Sequence, residues 1–259
     1  MKKTLKMIGV IAGVLVLSAC LFACGGGDGG KAADGNKTYL IGTDTTFAPF
    51  EYQDENGEYV GVDIELLAAI AEDQGFKYEL KPLGFDAAVA ALESGQVDGV
   101  IAGMSITEER QKVYDFSPAY YDSGVVVATK SDAAYESYED MKGMTLAVKN
   151  GTEGAEFAES IKDEYNLTLK YFDESPMMYQ EVLSGGVAGC VEDYPVMGYG
   201  IKNGNGLKMV GDMVQGSSYG FAVLKGQNAE LLEMFNAGLE NIKADGTYQE
   251  ILDKYISEE

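Results

Sequence analysis

Beyond residue 38, short apolar runs alternate with segments in which apolar residues recur every three or four positions. The short runs are typical of strands and the periodic segments of helices, so the alternation predicts an α/β fold. Strands are expected at residues 39–43, 76–82, 97–102, 124–130, 145–149, 167–172, 187–191, 207–210 and 219–224. Helices are expected from 63 to 75, at 87–94, at 107–113, after 152, at 176–184, and as two helices within 228–256.

The first of these helices carries the clearest boundary signals. Asp63 stands before the apolar positions, where a side-chain oxygen can cap a helix, and Gly75 stands where such a helix would end. Residues Ile64, Leu67, Ala68 and Ala71 are spaced to form its buried face. Just before it, Asn56-Gly57 predicts a tight turn between two short strands.

An N-terminal segment of different character precedes the fold. Three lysines within the first six residues are followed by an apolar run over residues 8–17, which is typical of a secretory signal and short for a membrane span. The sequences that end in Cys20 and Cys24 each resemble a bacterial lipobox, and a glycine-rich stretch follows Cys24. We expect a signal peptide over residues 1–23, lipidation of Cys24 or alternatively Cys20, and a tether over 24–37. The protein would then be anchored outside the cytoplasm, on the outer face of the cell membrane, or in the periplasm if the host has an outer membrane.

Charge and missing residue types narrow the function. The chain has 42 Asp+Glu against 19 Lys+Arg, a formal net charge of −23. Because affinity for nucleic acid depends on Lys and Arg neutralising phosphates, no nucleic-acid partner is expected. The absence of histidine removes Ser-His-Asp and Cys-His nucleophile systems. The acids form no D-x-D-x-D loop, so neither a metal site nor a cofactor is expected.

One arginine, Arg110, stands beside eighteen lysines. Only a guanidinium presents a planar fork that can meet a carboxylate with two parallel hydrogen bonds, so a single arginine in a lysine-rich chain suggests such a role. Small polar residues precede it at the end of a predicted strand. The residues alone leave open an ordinary surface ion pair with Glu108, Glu109 or Asp115.

Six motifs in fixed order support the first alternative. Together they resemble the polar-amino-acid solute-binding proteins of ABC importers, bacterial extracellular solute-binding family 3, over about residues 38–255. The motifs are Asp44-Thr-Thr-Phe-Ala-Pro-Phe-Glu51, Gly61-Val-Asp-Ile-Glu-Leu-Leu-Ala-Ala-Ile70, Gly103-Met-Ser-Ile-Thr-Glu-Glu-Arg110 with its continuation to Ser117, Val148-Lys-Asn-Gly-Thr152, Val191-Glu-Asp193 and Asp245-Gly-Thr-Tyr248.

The resemblance implies a two-lobed type II periplasmic-binding-protein fold, in which two hinge strands cross between α/β lobes that close on the ligand. Its first lobe would comprise residues 38–121 and 218–259, and its second lobe residues 122–217. A protein of this kind would be a monomer that binds a free amino acid and delivers it to a membrane-embedded ABC permease.

The resemblance also implies roles for individual residues. Arg110 would bind the α-carboxylate, helped by the backbone N–H groups of Ser105 and Thr152, the latter at a helix N-terminus where anions are favoured. Asp193 would bind the α-ammonium, with the Gly103 carbonyl and the Ser105 hydroxyl. Phe47 and Phe85 would enclose the ligand side chain.

Three further positions would face the ligand side chain. Asp44 and Lys149 match the glutamine-binding members of the family, whereas Glu192 departs from them. A carboxylate at that position could pair with Lys149 or favour a cationic ligand, so we expect glutamine slightly ahead of lysine and arginine.

An enzyme is the alternative. Cyclohexadienyl dehydratases share this fold and bind a similar carboxylate, and Glu192 or Asp193 could serve as their acid. A complete set of groups for a zwitterion, together with a lipobox, favours a binding protein without catalytic residues.

Overall fold

The computed structural model describes residues 37–256, apart from the side chain of Gln215. The expected signal peptide, Cys20, Cys24 and the tether up to residue 36 lie outside the described residues. No helix within residues 37–256 is long and apolar enough to cross a membrane.

The elements follow the alternation of strand and helix that the sequence predicts. The first part of the chain contains β1 (Thr38–Thr43), β2 (Thr46–Phe47), β3 (Glu51–Gln53), β4 (Tyr59–Val60), α1 (Val62–Gln74), β5 (Lys77–Pro82), α2 (Phe85–Glu93), β6 (Gly99–Val100) and β7 (Tyr114–Phe116). The middle part contains β8 (Tyr121–Lys130), β9 (Thr145–Lys149), α3 (Glu153–Tyr165), β10 (Thr168–Phe172), α4 (Ser175–Leu183), β11 (Gly189–Asp193), α5 (Tyr194–Lys202) and β12 (Leu207–Tyr219). The last part contains β13 (Ala222–Leu224), α6 (Ala229–Asp245) and α7 (Thr247–Ile256).

Two five-stranded sheets define two lobes. One sheet has the order β5-β1-β6-β13-β7 and the other β10-β9-β11-β8-β12, while β2, β3 and β4 form a small third sheet. β1 pairs parallel with β5 and β6, and β9 pairs parallel with β10 and β11. This arrangement confirms the α/β, two-lobed prediction.

The chain passes from one sheet to the other along two adjacent strands. β8 and β12 are antiparallel partners up to the pair Tyr121 and Tyr219, where one strand begins and the other ends. The expected lobe boundaries, after residues 121 and 217, fall at the start of β8 and near the end of β12. These two strands are the hinge crossings of the fold, and the exact boundaries stay a prediction.

Burial explains why the strands form where they do. All five residues of β11 are buried, and so are the seven residues 123–129 of β8. Central strands covered on both faces read as continuous apolar runs, as β8 does at residues 124–128, whereas β11 ends in two buried acids. In the first lobe the rings of Phe221 and Phe235 stack at 4.3 Å between centroids within the core.

The structure corrects the N-terminal cap of α1. The helix begins at Val62, and Gly61 precedes it at φ 128°, where a Cβ would lie 2.1 Å from the Phe50 carbonyl oxygen. Asp63 is therefore inside the helix and fully buried. Its carboxylate accepts a hydrogen bond from the backbone of Gly103 instead of capping its own helix.

The buried face of α1 is also shifted by about one position. The buried apolar residues are Val62, Leu66, Leu67, Ile70 and Ala71. Ala68, which was expected inside, is exposed, and Ile64 is only partly buried.

Several other elements differ in extent. The strand expected at 97–102 is reduced to two residues of β6, and the helix expected at 107–113 is a single 3-10 turn, Arg110–Lys112. Tyr219 ends β12 and does not belong to β13. The elements α5, β2 and β7 were not predicted.

Candidate functional site

A small cavity lies between the two lobes, near the ends of their central strands. Open α/β sheets bind ligands at this kind of position. Its volume is about 10 Å³, enough for about one water-sized sphere. A free amino acid is several times larger, so its entry requires the lobes to move apart. The lining residues are Phe47, Phe85, Ala102, Gly103, Ser105, Arg110, Thr152, Glu153 and Asp193.

Seven of the ten predicted site residues thus surround one cavity. The three that do not line it are Asp44, Lys149 and Glu192. Ala102 and Glu153 line it without having been predicted.

Arg110 connects the two lobes across this cavity. Arg110 is 9% exposed, and its Nη1 donates to the Ser105 carbonyl at 2.9 Å. Nη2 donates to the carbonyl of Gly151, in the other lobe, at 2.9 Å. The Phe85 ring lies 5.4 Å from the guanidinium carbon. These contacts exclude the alternative of a surface ion pair, because both donors reach backbone carbonyls and not acids.

The segment that follows β6 shapes one wall of the cavity. Gly103 has φ +52°, a conformation that favours glycine. A Cβ at this position would lie 2.4 Å from Cε1 of Phe47, so the ring occupies the space that a side chain would need. Ser105 forms a bridge with Tyr219, which fixes the end of this wall against the hinge strand β12.

The opposite wall begins at the N-terminus of α3. Thr152 is the cap, since its hydroxyl accepts from the Ala155 N–H at 3.2 Å and donates to the Lys149 carbonyl at 2.8 Å. Glu153, the first residue of the helix, is 3% exposed and lines the cavity. An acid in the first helical turn is an ordinary stabilising choice, so nothing in the sequence distinguished it.

Asp193 ends β11 and supplies the other charge of the cavity. It accepts a hydrogen bond from the Tyr219 hydroxyl at 2.6 Å. Burial, together with the negative charge of Glu192, raises the pKa of Asp193 to about 8. A positive charge placed beside it in the cavity would reverse this effect, because an opposite charge stabilises the ionised form.

Glu192 points away from the cavity. Its Oε2 accepts from the hydroxyls of Ser175 at 2.8 Å and Tyr179 at 2.7 Å, and its Oε1 accepts from the Asp193 N–H at 3.0 Å. Successive residues of a strand face opposite sides, so Glu192 and Asp193 cannot both face the ligand. The expected pairing of Glu192 with Lys149 does not occur.

Lys149 pairs with Asp44 of the other lobe instead. The Lys149 ammonium and the Asp44 carboxylate form a hydrogen-bonded ion pair, and the two side chains are 2% and 1% exposed. Nζ lies 5.1 Å from the centre of the Phe47 ring, so the pair stands directly behind a residue of the cavity wall. Two opposite charges buried in contact leave this end of the site without net charge.

The described residues offer no metal centre. Residues 37–256 contain no group of three or more cysteine, aspartate or glutamate side chains placed to hold a metal ion. What the cavity does offer is one buried cation and buried carboxylates on opposite sides, which is the complement of a zwitterion.

Comparison with known proteins gives a consistent result. Residues 39–258 match the family model of the bacterial extracellular solute-binding proteins, family 3. The arginine-binding extracellular protein ArtP of Bacillus subtilis (strain 168) is 31% identical over 251 residues, which is 95% of this chain and 98% of ArtP.

Solved structures extend the comparison. An ancestral arginine-binding protein, solved with glutamine and with arginine, is 42% identical with a TM-score of 0.78 and covers 85% of this chain and 98% of its own. The ancestral amino acid-binding protein AncCDT-1, a precursor of cyclohexadienyl dehydratase, is 36% identical with a TM-score of 0.76 and covers 84% of this chain and 95% of its own.

Proposed function

Because the chain belongs to the bacterial extracellular solute-binding proteins of family 3, we propose that it captures a free polar L-amino acid between its lobes for an ABC importer. Glutamine is the preferred ligand in this proposal, ahead of lysine and arginine. The protein acts as a monomer, is held to the membrane by lipid on Cys24 or Cys20, and passes its ligand to the permease.

The observation that carries the proposal is the pair of opposite charges in one cavity. Arg110 and Asp193 both line it, and each is at most 9% exposed. Both are held by backbone or hydroxyl groups instead of by each other. An α-carboxylate at Arg110 and an α-ammonium at Asp193 would pair both buried charges, and an unpaired buried charge is costly.

The preference for glutamine assumes that the Asp44–Lys149 pair, which lies behind Phe47 and outside the cavity lining, reaches the ligand side chain when the lobes part. An ammonium can donate to an amide oxygen and a carboxylate can accept from an amide N–H, so the pair suits a neutral amide. The ancestral protein of similar sequence, which was solved with glutamine, supports this preference.

A basic amino acid is the second candidate ligand. Glu153 and Asp193 bring two carboxylates to the cavity against the single guanidinium of Arg110. This balance favours a ligand with an additional positive charge. The arginine-binding protein ArtP and the arginine-bound ancestral structure support the same candidate.

A dehydratase is the candidate from another class. The raised pKa of Asp193, about 8, keeps a proton available in the cavity at neutral pH, as a general acid requires. Loss of prephenate or arogenate on incubation with the protein would favour this function. We place it below binding because binding needs only the Arg110 guanidinium and a carboxylate that ionises beside the ligand ammonium.

A thermal-shift measurement against the twenty amino acids tests the proposal. A ligand at 100 times its Kd adds about 2.7 kcal/mol to the free energy of unfolding, and the shift should be largest with glutamine. Arg110→Ala should remove the shift, and Arg110→Lys should restore little of it because an ammonium lacks the planar fork. A larger shift with lysine or arginine would select the second candidate ligand. No shift with any amino acid would reject the proposal.

A further inference from the structure

A fully buried carboxylate lies behind the cavity wall without touching the cavity. Asp63 is 0% exposed, and its Oδ2 accepts two hydrogen bonds, from the Gly103 N–H at 2.7 Å and from the Tyr120 hydroxyl at 2.8 Å. One oxygen therefore joins α1 to the cavity wall and to the residue before β8. Hydrogen bonds to an ionised acceptor are about twice as strong as those between neutral groups.

The first bond fixes the N-terminal end of the cavity wall, whereas backbone contacts with β12 hold its other end. Gly103 has a positive φ of +52°, a conformation that a mobile glycine leaves easily. Asp63 holds the N–H of Gly103, and Arg110 holds the carbonyl of Ser105 two residues later. The Gly103 carbonyl lies between these two fixed points, and it is the group expected to accept a hydrogen bond from the ligand ammonium.

The second bond reaches the hinge. Tyr120 directly precedes β8, and its N–H donates to the carbonyl of Tyr219 at the end of β12 at 2.9 Å. Its own carbonyl accepts from the Tyr248 hydroxyl. The residue that shares an acceptor with Gly103 is thus tied to both hinge crossings.

A second buried acid completes the arrangement. Among residues 37–256 no N–H or hydroxyl donates to either oxygen of Glu51 or to Oδ1 of Asp63. A proton on one Glu51 oxygen that is shared with Asp63 Oδ1 would satisfy two of these three oxygens. Burial and the charges of Asp63 and Asp44 raise the pKa of Glu51 well above its ordinary value, and burial raises that of Asp63 to about 6. Of the two acids, Glu51 is therefore the one that holds the shared proton, and Asp63 is the acceptor.

We propose that Asp63 is a positioning residue of the ligand site, which fixes the Gly103 carbonyl for the ligand ammonium and couples it to the hinge crossing at Tyr120. The inference rests on the proposed function. Asp63 acts through Gly103 and makes no contact with the ligand.

The test compares Asp63→Ala with Asp63→Asn by calorimetric titration with the amino acid that gives the largest thermal shift. Alanine removes the acceptor, so Kd should rise about tenfold or more, as the loss of a buried hydrogen-bond acceptor implies. Asparagine keeps an oxygen for both donors and should hold Kd within about threefold of the wild type. Glu72→Gln, an exposed change on the same helix, is the matched control.

Two further variants separate positioning from support of the fold. Tyr120→Phe removes only the hydroxyl and should raise Kd by about twofold to fivefold, which keeps the test decisive if Asp63→Ala does not fold. Glu51→Gln reproduces the neutral acid and should leave Kd unchanged. Circular dichroism confirms that each variant is folded at the titration temperature.

The outcomes are distinguishable. A merely structural role would lower the melting temperature of Asp63→Ala and leave its Kd equal to that of the wild type, which would overturn the inference alone. An unchanged Kd in Tyr120→Phe would overturn the coupling to the hinge. A wild-type protein that binds none of the amino acids would overturn the proposed function and this inference together.

Discussion

The two faces of β11 carry neighbouring buried acids in opposite situations. On the face toward α4, Glu192 receives hydrogen bonds from Ser175, Tyr179 and the Asp193 N–H. On the face toward the cavity, Asp193 receives one from Tyr219 within the part of the chain that the structure describes. The burial is nearly equal, 3% and 5% exposed, so the donors and not the burial distinguish the two carboxylates.

This difference separates a structural acid, Glu192, from Asp193, the binding acid of the proposed function. Three donors fixed by the protein satisfy Glu192. Asp193 has one such donor among the described residues, and its pKa of about 8 reflects the cost of ionising it in this environment. A cation from outside the protein removes that cost, which is why the less satisfied acid is the one suited to a ligand.

Removing the charge of the binding acid should have the largest effect. Asp193→Asn leaves the ligand ammonium without its counter-ion, and truncating one partner of a buried charge pair costs about 2–5 kcal/mol. Affinity should therefore fall at least about 30-fold. Isothermal titration with the preferred amino acid measures the change.

The same variant should not destabilise the ligand-free protein. Asp193 is protonated in the folded state and ionised in the unfolded state between pH 3.8 and about 8, so the folded state binds more protons there. Its contribution to stability accordingly falls as pH rises through this window. Asp193→Asn removes this pH-dependent loss of stability, so the melting temperature of the variant above pH 8 should equal or exceed that of the wild type. Asp212→Asn, on the surface of β12, is the control. A large loss of stability would assign Asp193 a structural role.

The pH dependence of binding should show the next largest effect. Below the pKa of about 8, Asp193 must lose its proton before it can pair with the ammonium. Affinity should then fall by up to about tenfold for each pH unit below that value, since one unit corresponds to 1.36 kcal/mol. Ligand titrations at pH 8 and at one pH unit below it measure how steeply the affinity depends on pH. An affinity independent of pH over this range would exclude Asp193 as the ammonium partner.

Neutralising the structural acid should have the smallest effect on affinity and a visible one on stability. Glu192→Gln places an amide N–H₂ among three donors, which should cost about 1–3 kcal/mol of unfolding free energy. Because the Glu192 charge raises the pKa of Asp193, the pH midpoint of binding should move down and Kd at neutral pH should change by no more than a few-fold. Thermal unfolding and titration measure both, with exposed Glu240→Gln as the control. A loss of affinity as large as that of Asp193→Asn would contradict the distinction between the two faces.

The fold could largely be predicted from the sequence because the ends of its helices and turns carry recognisable residues. Gly75 and Asn166 end α1 and α3 in the left-handed conformation, and the turn at Gly57 also has positive φ. Short edge elements such as β2 and β7 have no such signals, since tertiary pairing and not propensity holds them. Helix α5 was missed because it follows β11 without an intervening loop.

The site could be predicted from the sequence only as far as motifs locate its residues along the chain. Seven predicted residues meet at the cavity, yet the sequence did not show which side of β11 each acid faces, because both faces of this strand are buried. The same limit applies to Asp63, whose position before an apolar helix suits a cap but whose carboxylate reaches a residue forty positions away. Long-range partners of buried polar groups are set by packing, which periodicity does not report.

The Asp44–Lys149 ion pair also affects the rate at which a bound ligand dissociates. It joins the end of β9 in one lobe to the segment after β1 in the other, and both side chains are excluded from water. Parting the lobes separates two buried ions, and a buried charge that loses its partner is strongly destabilising. Dissociation rates, rather than association rates, usually distinguish related complexes. The frequency with which this one contact breaks should therefore set an upper limit on how fast a captured molecule can leave.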